Sequence, residues 1–152
     1  MNLNIMNSEQ IAEQLQRKGL NPTANRIIVM KALLQTGRPL SLAELFSIIE
    51  TMDKSSIFRA LSLFLDHDAV HTIDDGSGSL KYEPCTEEEH SVDDMHAHFH
   101  CEVCGRTYCL RDVEVHSPVL PAGFVVRSVN YVVKGTCCEC GRELMAGDDA
   151  TD

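Results

Sequence analysis

Two Cys-x-x-Cys-Gly stretches contain the residues of this sequence that are best suited to metal chemistry. They read CEVCG at 101–105 and CCECG at 137–141, and each pair can direct two thiolates at one centre across a tight turn. Four thiolates suit a tetrahedral Zn²⁺, with a rubredoxin-like iron as the chemical alternative. Cys138 could replace Cys137 as a ligand, although the spacing favours Cys137. We therefore predict one closed structural zinc site, formed by Cys101, Cys104, Cys137 and Cys140.

Three histidines at alternate positions, His96, His98 and His100, lead directly into the first cysteine pair. Alternate residues of a strand point to the same face, so these imidazoles are expected to be aligned. Imidazole binds zinc, iron, nickel or copper, so the stretch indicates a second metal site without fixing the metal. A polar strand face with solvated histidines is the alternative. Side chains that could complete a mixed site are His71, Glu83, Cys85 and Cys109.

The acidity of the chain belongs to its second half. Residues 1–72 carry seven basic and seven acidic side chains, whereas residues 73–152 carry six and sixteen, which accounts for the net charge of −10. A neutral first half can approach phosphates, while the acidic half either attracts divalent cations or is simply a solvated surface. The charge therefore excludes neither a DNA-binding protein nor a metal-binding one.

The location that the sequence predicts is the cytoplasm. The first ten residues, MNLNIMNSEQ, have no basic start followed by an apolar run, so we expect no secretory signal. No apolar stretch approaches the roughly 18–20 residues of a membrane-spanning helix. In a reducing compartment, cysteines are metal ligands or reactive thiols more often than disulfides, and seven is an odd number for a disulfide framework.

The elements that must position these residues change type midway along the chain. Four stretches with helical periodicity occupy the first half, and in one of them Ser41 and Glu44 form a predicted capping box. Two strand-like runs, AVHTI and LKYE, then flank the turn-forming DDGSGS. Helices followed by a hairpin predict a winged helix, with a plain helical bundle as the alternative. The second half reads as β-rich.

The helix predicted over 54–66 has a face suited to DNA. Its apolar stripe contains Ile57, Leu61, Phe64 and Leu65, which leaves Arg59 on the exposed side with Phe58 at the margin. Arginine can bind guanine edges or phosphate, and an aromatic ring can contact thymine methyl groups. A solvated surface arginine is the alternative. The predicted DNA-binding residues are Thr23, Lys54, Ser55, Phe58, Arg59 and Ser62.

Five motifs in order resemble the Fur superfamily of metal-responsive repressors, whose members sense iron, zinc or peroxide. They are GLNPTANRIIVMKALL, SLAELFSII, SSIFRALSLFLDHDAVHTI, HAHFHCEVCGRTYCL and VVKGTCCEC, and together they span residues 19–141. The resemblance implies an α+β fold, with an N-terminal winged helix-turn-helix followed by a small α/β dimerisation domain that holds the four-cysteine zinc site. Together with the composition of the linker and the tail, it predicts a DNA-binding domain over 1–84, an acidic hinge over 85–95, the dimerisation domain over 96–143 and a disordered tail over 144–152.

The resemblance also implies how the protein works. A homodimer would bind a pseudo-palindromic promoter operator when a regulatory Fe²⁺ or Zn²⁺ loads the hinge, and would so repress genes of iron or zinc homeostasis. The regulatory ligands that match the family are Glu83, His96 and His98. Further candidates for this site are His71, Cys85, Cys109 and His100.

Two other functions remain open at the level of sequence. One is a peroxide or thiol redox sensor of the same superfamily, which would oxidise a regulatory histidine or pair its spare cysteines. The other is a zinc metalloenzyme that uses the histidine strand as an open catalytic site. Because no Ser-His-Asp order, phosphate loop or nucleotide fingerprint occurs, we predict that the protein is not an enzyme and has no small-molecule substrate or membrane partner.

Overall fold

The computed structural model describes residues 6–85, 96–127 and 129–148. The chain divides into two compact units, Met1–Glu89 and His90–Asp152. Most of the acidic hinge predicted over 85–95 lies outside the described residues. The combination of helices and sheets in the two units confirms the predicted α+β class.

Four helices occupy the first unit, and each begins at a polar capping residue. The Asn7 side chain accepts from the Gln10 backbone N–H at the start of α1, and Ser41 and Glu44 form the predicted capping box of α3. The second helix ends at Gly37, whose φ of 70° is the left-handed conformation that glycine adopts most easily. The four helices are α1 (Ser8–Arg17), α2 (Ala24–Thr36), α3 (Leu42–Ile48) and α4 (Lys54–Asp66).

One apolar core joins all four helices of the first unit. Because Ile57, Leu61 and Phe64 of α4 are fully buried in it, the opposite face of this helix is left to solvent. The burial therefore follows the periodicity of the sequence. Other members of this core are Ile11, Leu15, Val29, Met30, Leu33, Leu40 and Leu45.

A three-stranded antiparallel sheet completes the first unit. Its strands are β1 (Leu40–Ser41), β2 (Val70–Ile73) and β3 (Lys81–Pro84), in the order β1-β3-β2. The hairpin of β2 and β3 places His71 directly opposite Glu83. Helices followed by this hairpin are the elements that the winged-helix prediction requires.

A second three-stranded sheet forms the centre of the other unit. Its strands are β4 (Ala97–Cys101), β5 (Thr107–Leu110) and β6 (Tyr131–Gly135). The middle strand, β4, runs antiparallel to β5 and parallel to β6. The central strand β4 therefore places His98 and His100 opposite residues of both β5 and β6.

The last described element corrects the predicted tail. Helix α5 spans Cys138–Asp148, so residues 144–148 are helical and not disordered. Residues 149–152 lie outside the described part of the chain. Within the described ranges, no helix combines the length and the apolar character needed to cross a membrane.

Candidate metal centres and nucleic-acid interface

The structure brings the four predicted zinc ligands together. Their Sγ atoms all lie within 4.8 Å of one another, and the Sγ atoms of Cys104 and Cys137 are 3.9 Å apart. A tetrahedral ion with Zn–S bonds of about 2.3 Å requires sulfurs separated by about 3.8 Å. Cys138 is exposed and is not a member of the cluster. The spacing argument that favoured Cys137 over its neighbour therefore agrees with the geometry.

Backbone turns and one close approach shape this cluster. The Gly105 N–H donates to the Cys101 carbonyl over 2.9 Å, and Gly105 adopts a φ of 75° that favours glycine. In the parallel pairing of β4 and β6, Gly135 lies beside Cys101. A Cβ atom at Gly135 would lie 3.3 Å from the Phe99 ring. Because glycine has no side chain, β6 can lie close to β4, the strand that ends at Cys101.

Hydrogen bonds shift the pKa values of the cluster thiols in opposite directions. Backbone N–H groups of Cys104 and then Cys137 lower the pKa of Cys101 to about 6, and the second of these bonds is 3.3 Å long. A hydrogen bond with Cys137 is the largest cause that raises the pKa of Cys140 to about 12. Four thiolates this close repel one another, so all four ionise only around a cation. The residues present therefore fit Zn²⁺.

The three aligned histidines do not share one environment. The rings of His96 and His98 are neighbours, with centroids 4.5 Å apart and planes tilted by 56°. His100 instead places Nδ1 3.1 Å from Oγ1 of Thr107, its partner across the β4–β5 pairing, and both side chains are buried. Cys109 lies opposite His98 in the same pairing. The structure thus groups His96 with His98 and gives His100 a separate contact.

Three candidate ligands of the first unit meet at the end of the β2–β3 hairpin. His71 Nε2 lies 2.7 Å from Glu83 Oε2, and His71 Nδ1 lies 3.3 Å from Cys85 Sγ. The tautomer of His71 sets which ring nitrogen donates, and this geometry suits an Nε2–H that donates to the buried carboxylate and an Nδ1 that accepts from the Cys85 S–H. Burial raises the pKa of Cys85 to about 11. An imidazole, a carboxylate and a thiol are donors that a divalent ion could bind once it displaces their protons.

The exposed face of α4 contains an open depression of about 390 Å³. Its lining consists of Leu42, Lys54, Ser55, Phe58 and Arg59, which include four of the six predicted DNA-binding residues. Phe58 is 51% exposed in this depression, so its ring is accessible beside the Arg59 guanidinium. Leu42 is not among the predicted DNA-binding residues, because an apolar residue at that helical position indicates the core.

The other two predicted DNA-binding residues make local hydrogen bonds. Thr23 caps α2, where its hydroxyl accepts from the Arg26 backbone N–H over 3.4 Å. The Ser62 hydroxyl donates to the Phe58 carbonyl over 2.9 Å. Arg59 donates from Nη2 to the Ser56 hydroxyl over 3.3 Å, which uses one of its five guanidinium donors.

Comparison with known proteins places this architecture. The model of the ferric uptake regulator family matches residues 17–119, whereas no curated protein matches the chain. The Helicobacter pylori ferric uptake regulator, a protein with three functional metal-binding sites, is 19% identical over 90% of this chain and 95% of its own, with a TM-score of 0.60. The Vibrio cholerae ferric uptake regulator is 17% identical over 83% and 98%, with a TM-score of 0.61. A zinc uptake regulator solved with zinc and DNA is 16% identical over 96% and 99%, with a TM-score of 0.63. These TM-scores show a shared fold, and the family match over residues 17–119 establishes that the chain belongs to the ferric uptake regulator family.

Proposed function

We propose that the chain is a metal-dependent DNA-binding transcriptional repressor, which acts as a cytoplasmic homodimer on genes of iron or zinc homeostasis. The observation that carries the proposal is the depression on α4, where Phe58 and Arg59 stand exposed beside Lys54. Family membership supports a regulator and not an enzyme. The solved zinc uptake regulator in complex with DNA has the same fold.

On the DNA side, α4 is the proposed recognition helix. Arg59 has guanidinium donors for a guanine edge or a phosphate, and Phe58 offers an apolar ring to thymine methyl groups. Lys54 at the first turn, Ser55, Ser62 and the Thr23 cap are proposed to contact the backbone. A dimer presents this surface twice, which fits a pseudo-palindromic operator with two half-sites.

The zinc cluster is proposed to be structural. Its four thiolates leave no open coordination position, so Zn²⁺ held by Cys101, Cys104, Cys137 and Cys140 serves to join β4, β6 and α5. That junction fixes the strand on which the histidines lie.

The regulatory ion, Fe²⁺ or Zn²⁺, is proposed to bind Glu83 together with His96 and His98. Glu83 belongs to the first unit and the two histidines belong to the second. An ion that binds ligands from both would select conformers in which the DNA-binding surfaces of a dimer match both half-sites. The Cys85 sulfur, 3.3 Å from His71 Nδ1, would make this site softer than one of oxygen and imidazole alone, which favours zinc.

A thiol-based redox sensor is less well supported by the chemistry of Cys85. Peroxide reacts with the thiolate, and a pKa raised to about 11 by burial keeps this thiol protonated at neutral pH.

The proposal is tested by metal-controlled DNA binding. The purified dimer is stripped of labile metal, a duplex is selected from a random pool with the Zn²⁺-loaded protein, and binding is followed while Zn²⁺ or Fe²⁺ is added. We expect one ion to increase the DNA affinity by at least about tenfold, a coupling of about 1.4 kcal/mol. DNA affinity that ignores both ions would contradict the proposal.

Two variants sharpen this test. Arg59→Ala should weaken DNA binding and leave metal binding unchanged, whereas Lys134→Ala, which removes an equal charge from an exposed position on β6, should alter neither. His98→Ala should leave the fold intact and abolish the response to metal. If Lys134→Ala weakened DNA binding as much as Arg59→Ala did, α4 would not be the recognition helix.

A further inference from the structure

A buried ion pair supports the loop between β2 and β3. Lys81 Nζ lies 2.9 Å from Asp75 Oδ2, and the two side chains are only 4% and 0% exposed. Burying two charges costs desolvation free energy that their attraction barely offsets, and well-packed apolar replacements are often as stable or more so. Such a pair is therefore weak evidence for stability. It points instead to a conformation that the loop must hold.

The pair connects the sheet to the 74–80 loop, defined as residues 74–80 between the two strands. Lys81 begins the middle strand, where it pairs with Ile73 of β2 and with Ser41, the cap of α3. The second carboxylate oxygen of Asp75 accepts the Ser77 backbone N–H over 3.0 Å. One carboxylate thus links the turn of the loop to the strand beside α3.

The composition of the loop means that any contact with DNA would depend on the conformation of its backbone. Its sequence, DDGSGSL, contains no lysine or arginine. It can therefore offer a phosphate only hydroxyl groups and backbone N–H groups, which are short donors that require accurate placement. The loop also contains two carboxylates, which would repel DNA if both were exposed. The Asp75 carboxylate is buried against Lys81 and is therefore withdrawn from the surface.

We propose that Asp75 and Lys81 are positioning residues that fix the 74–80 loop in the conformation required for DNA binding. This inference rests on the proposed function and on the predicted winged helix, in which the 74–80 loop is the wing. Neither side chain contacts DNA. They act through the loop backbone, and their ion pair keeps a negative charge away from the phosphates.

The test replaces the pair by apolar side chains of similar volume. In Asp75→Leu/Lys81→Met both charges of the ion pair disappear together, and the net charge of the chain is unchanged. We expect a wild-type thermal midpoint and zinc content, at least about tenfold weaker binding to the selected duplex, and at least about tenfold faster hydrogen exchange at the Ser77 amide. The factor of ten in affinity corresponds to about 1.4 kcal/mol.

Asp74→Asn is the matched control, because it removes a carboxylate from the loop and leaves the ion pair in place. Its DNA affinity should equal or exceed that of the wild type. A double variant that folds and binds DNA like the wild type would overturn the inference. So would a Ser77 amide in the wild-type protein that exchanges as fast as an unstructured amide, a measurement that needs no variant to fold. Failure of the wild-type dimer to bind any duplex would instead overturn the proposed function.

Discussion

Cys101→Ser should unfold the second unit while the first unit stays folded. Cys101 is fully buried at the end of β4, and its thiolate is the sulfur that accepts the Cys137 N–H. Serine retains the size of cysteine but is a poor zinc ligand. The variant therefore removes one of the four metal bonds with little steric change.

The magnitude follows from how little apolar surface the second unit buries. Among its described residues, the buried hydrophobic side chains are Ala97, Cys101, Cys137 and Cys140. At about 0.8 kcal/mol for each buried carbon, the four β-carbons of these side chains contribute about 3 kcal/mol. Structural zinc contributes about 10–16 kcal/mol, so each of the four thiolates accounts for about 2.5–4 kcal/mol on average. Losing one ligand removes as much stability as the apolar core supplies.

The assay combines zinc competition with thermal unfolding. Zinc affinity, measured against a chromophoric chelator, should fall about 10²–10³-fold, which is the equivalent of about 2.5–4 kcal/mol. Calorimetry should retain the transition of the first unit, because the core around Phe64 is separate from the cysteines. Cys138→Ser is the matched control, since Cys138 is exposed and outside the cluster.

Two results would refute this reasoning. A Cys101→Ser protein that keeps stoichiometric zinc and both unfolding transitions would show that the cluster does not hold the second unit together. A Cys138→Ser protein that loses zinc would show that the adjacent thiol, and not Cys137, completes the site.

Three further predictions concern the pH dependence of zinc binding and the stability of the first unit. As the pH is lowered, the apparent zinc affinity should fall about tenfold per pH unit for each proton that zinc displaces. Cys140, with a pKa raised to about 12, is protonated at neutral pH and supplies one such proton. Below about pH 6 the fall should steepen as Cys101 also becomes protonated, and a chelator titration from pH 5 to 8 measures both slopes. Asp68→Gly should stabilise the first unit by about 0.5–1 kcal/mol, since Asp68 holds a φ of 54° after α4, and urea unfolding measures the gain. Phe64→Ala should cost about 3–5 kcal/mol of unfolding free energy in the same assay, because its ring is fully buried.

Each of these has an internal comparison. A pH-independent zinc affinity would mean that the thiols are already ionised without metal. Asp68→Ala keeps the strained backbone, so it should not reproduce the gain of the glycine variant. Phe58→Ala removes the same ring from an exposed position, and an equal loss of stability there would contradict the division of α4 into a buried and an exposed face.

The cysteine cluster could be predicted from the sequence because its geometry is local. Two residues between cysteines restrict each pair to one turn, and the second pair needs only to reach the first. The apolar periodicity of α4 was equally informative, since burial of Ile57 and Leu61 on one face leaves Arg59 on the other. Within each cysteine pair and along α4, the residues that decide the local geometry are a few positions apart along the chain.

Contacts across strands could not be predicted in the same way. His98 and His100 point to the same face of β4 by alternation, yet the partner strand places Thr107 against one and Cys109 opposite the other. The register of β5 decides this, and alternation along β4 does not contain it. The burial of Asp75 was also hidden, because an aspartate in a Gly/Ser-rich turn ordinarily faces water and its partner is supplied by β3.

The position of β4 has a consequence for the order of events in the cell. The strand begins beside His96, ends at Cys101, and is held by hydrogen bonds to both of its neighbours. Under the proposed function, a chain made during zinc starvation would lack the fold that presents the regulatory histidines, whatever ion they sense. DNA binding would then require two inputs together, the structural zinc and the regulatory ion. Its first input is set once, when the chain folds around zinc, and its second is updated continuously as the regulatory ion comes and goes.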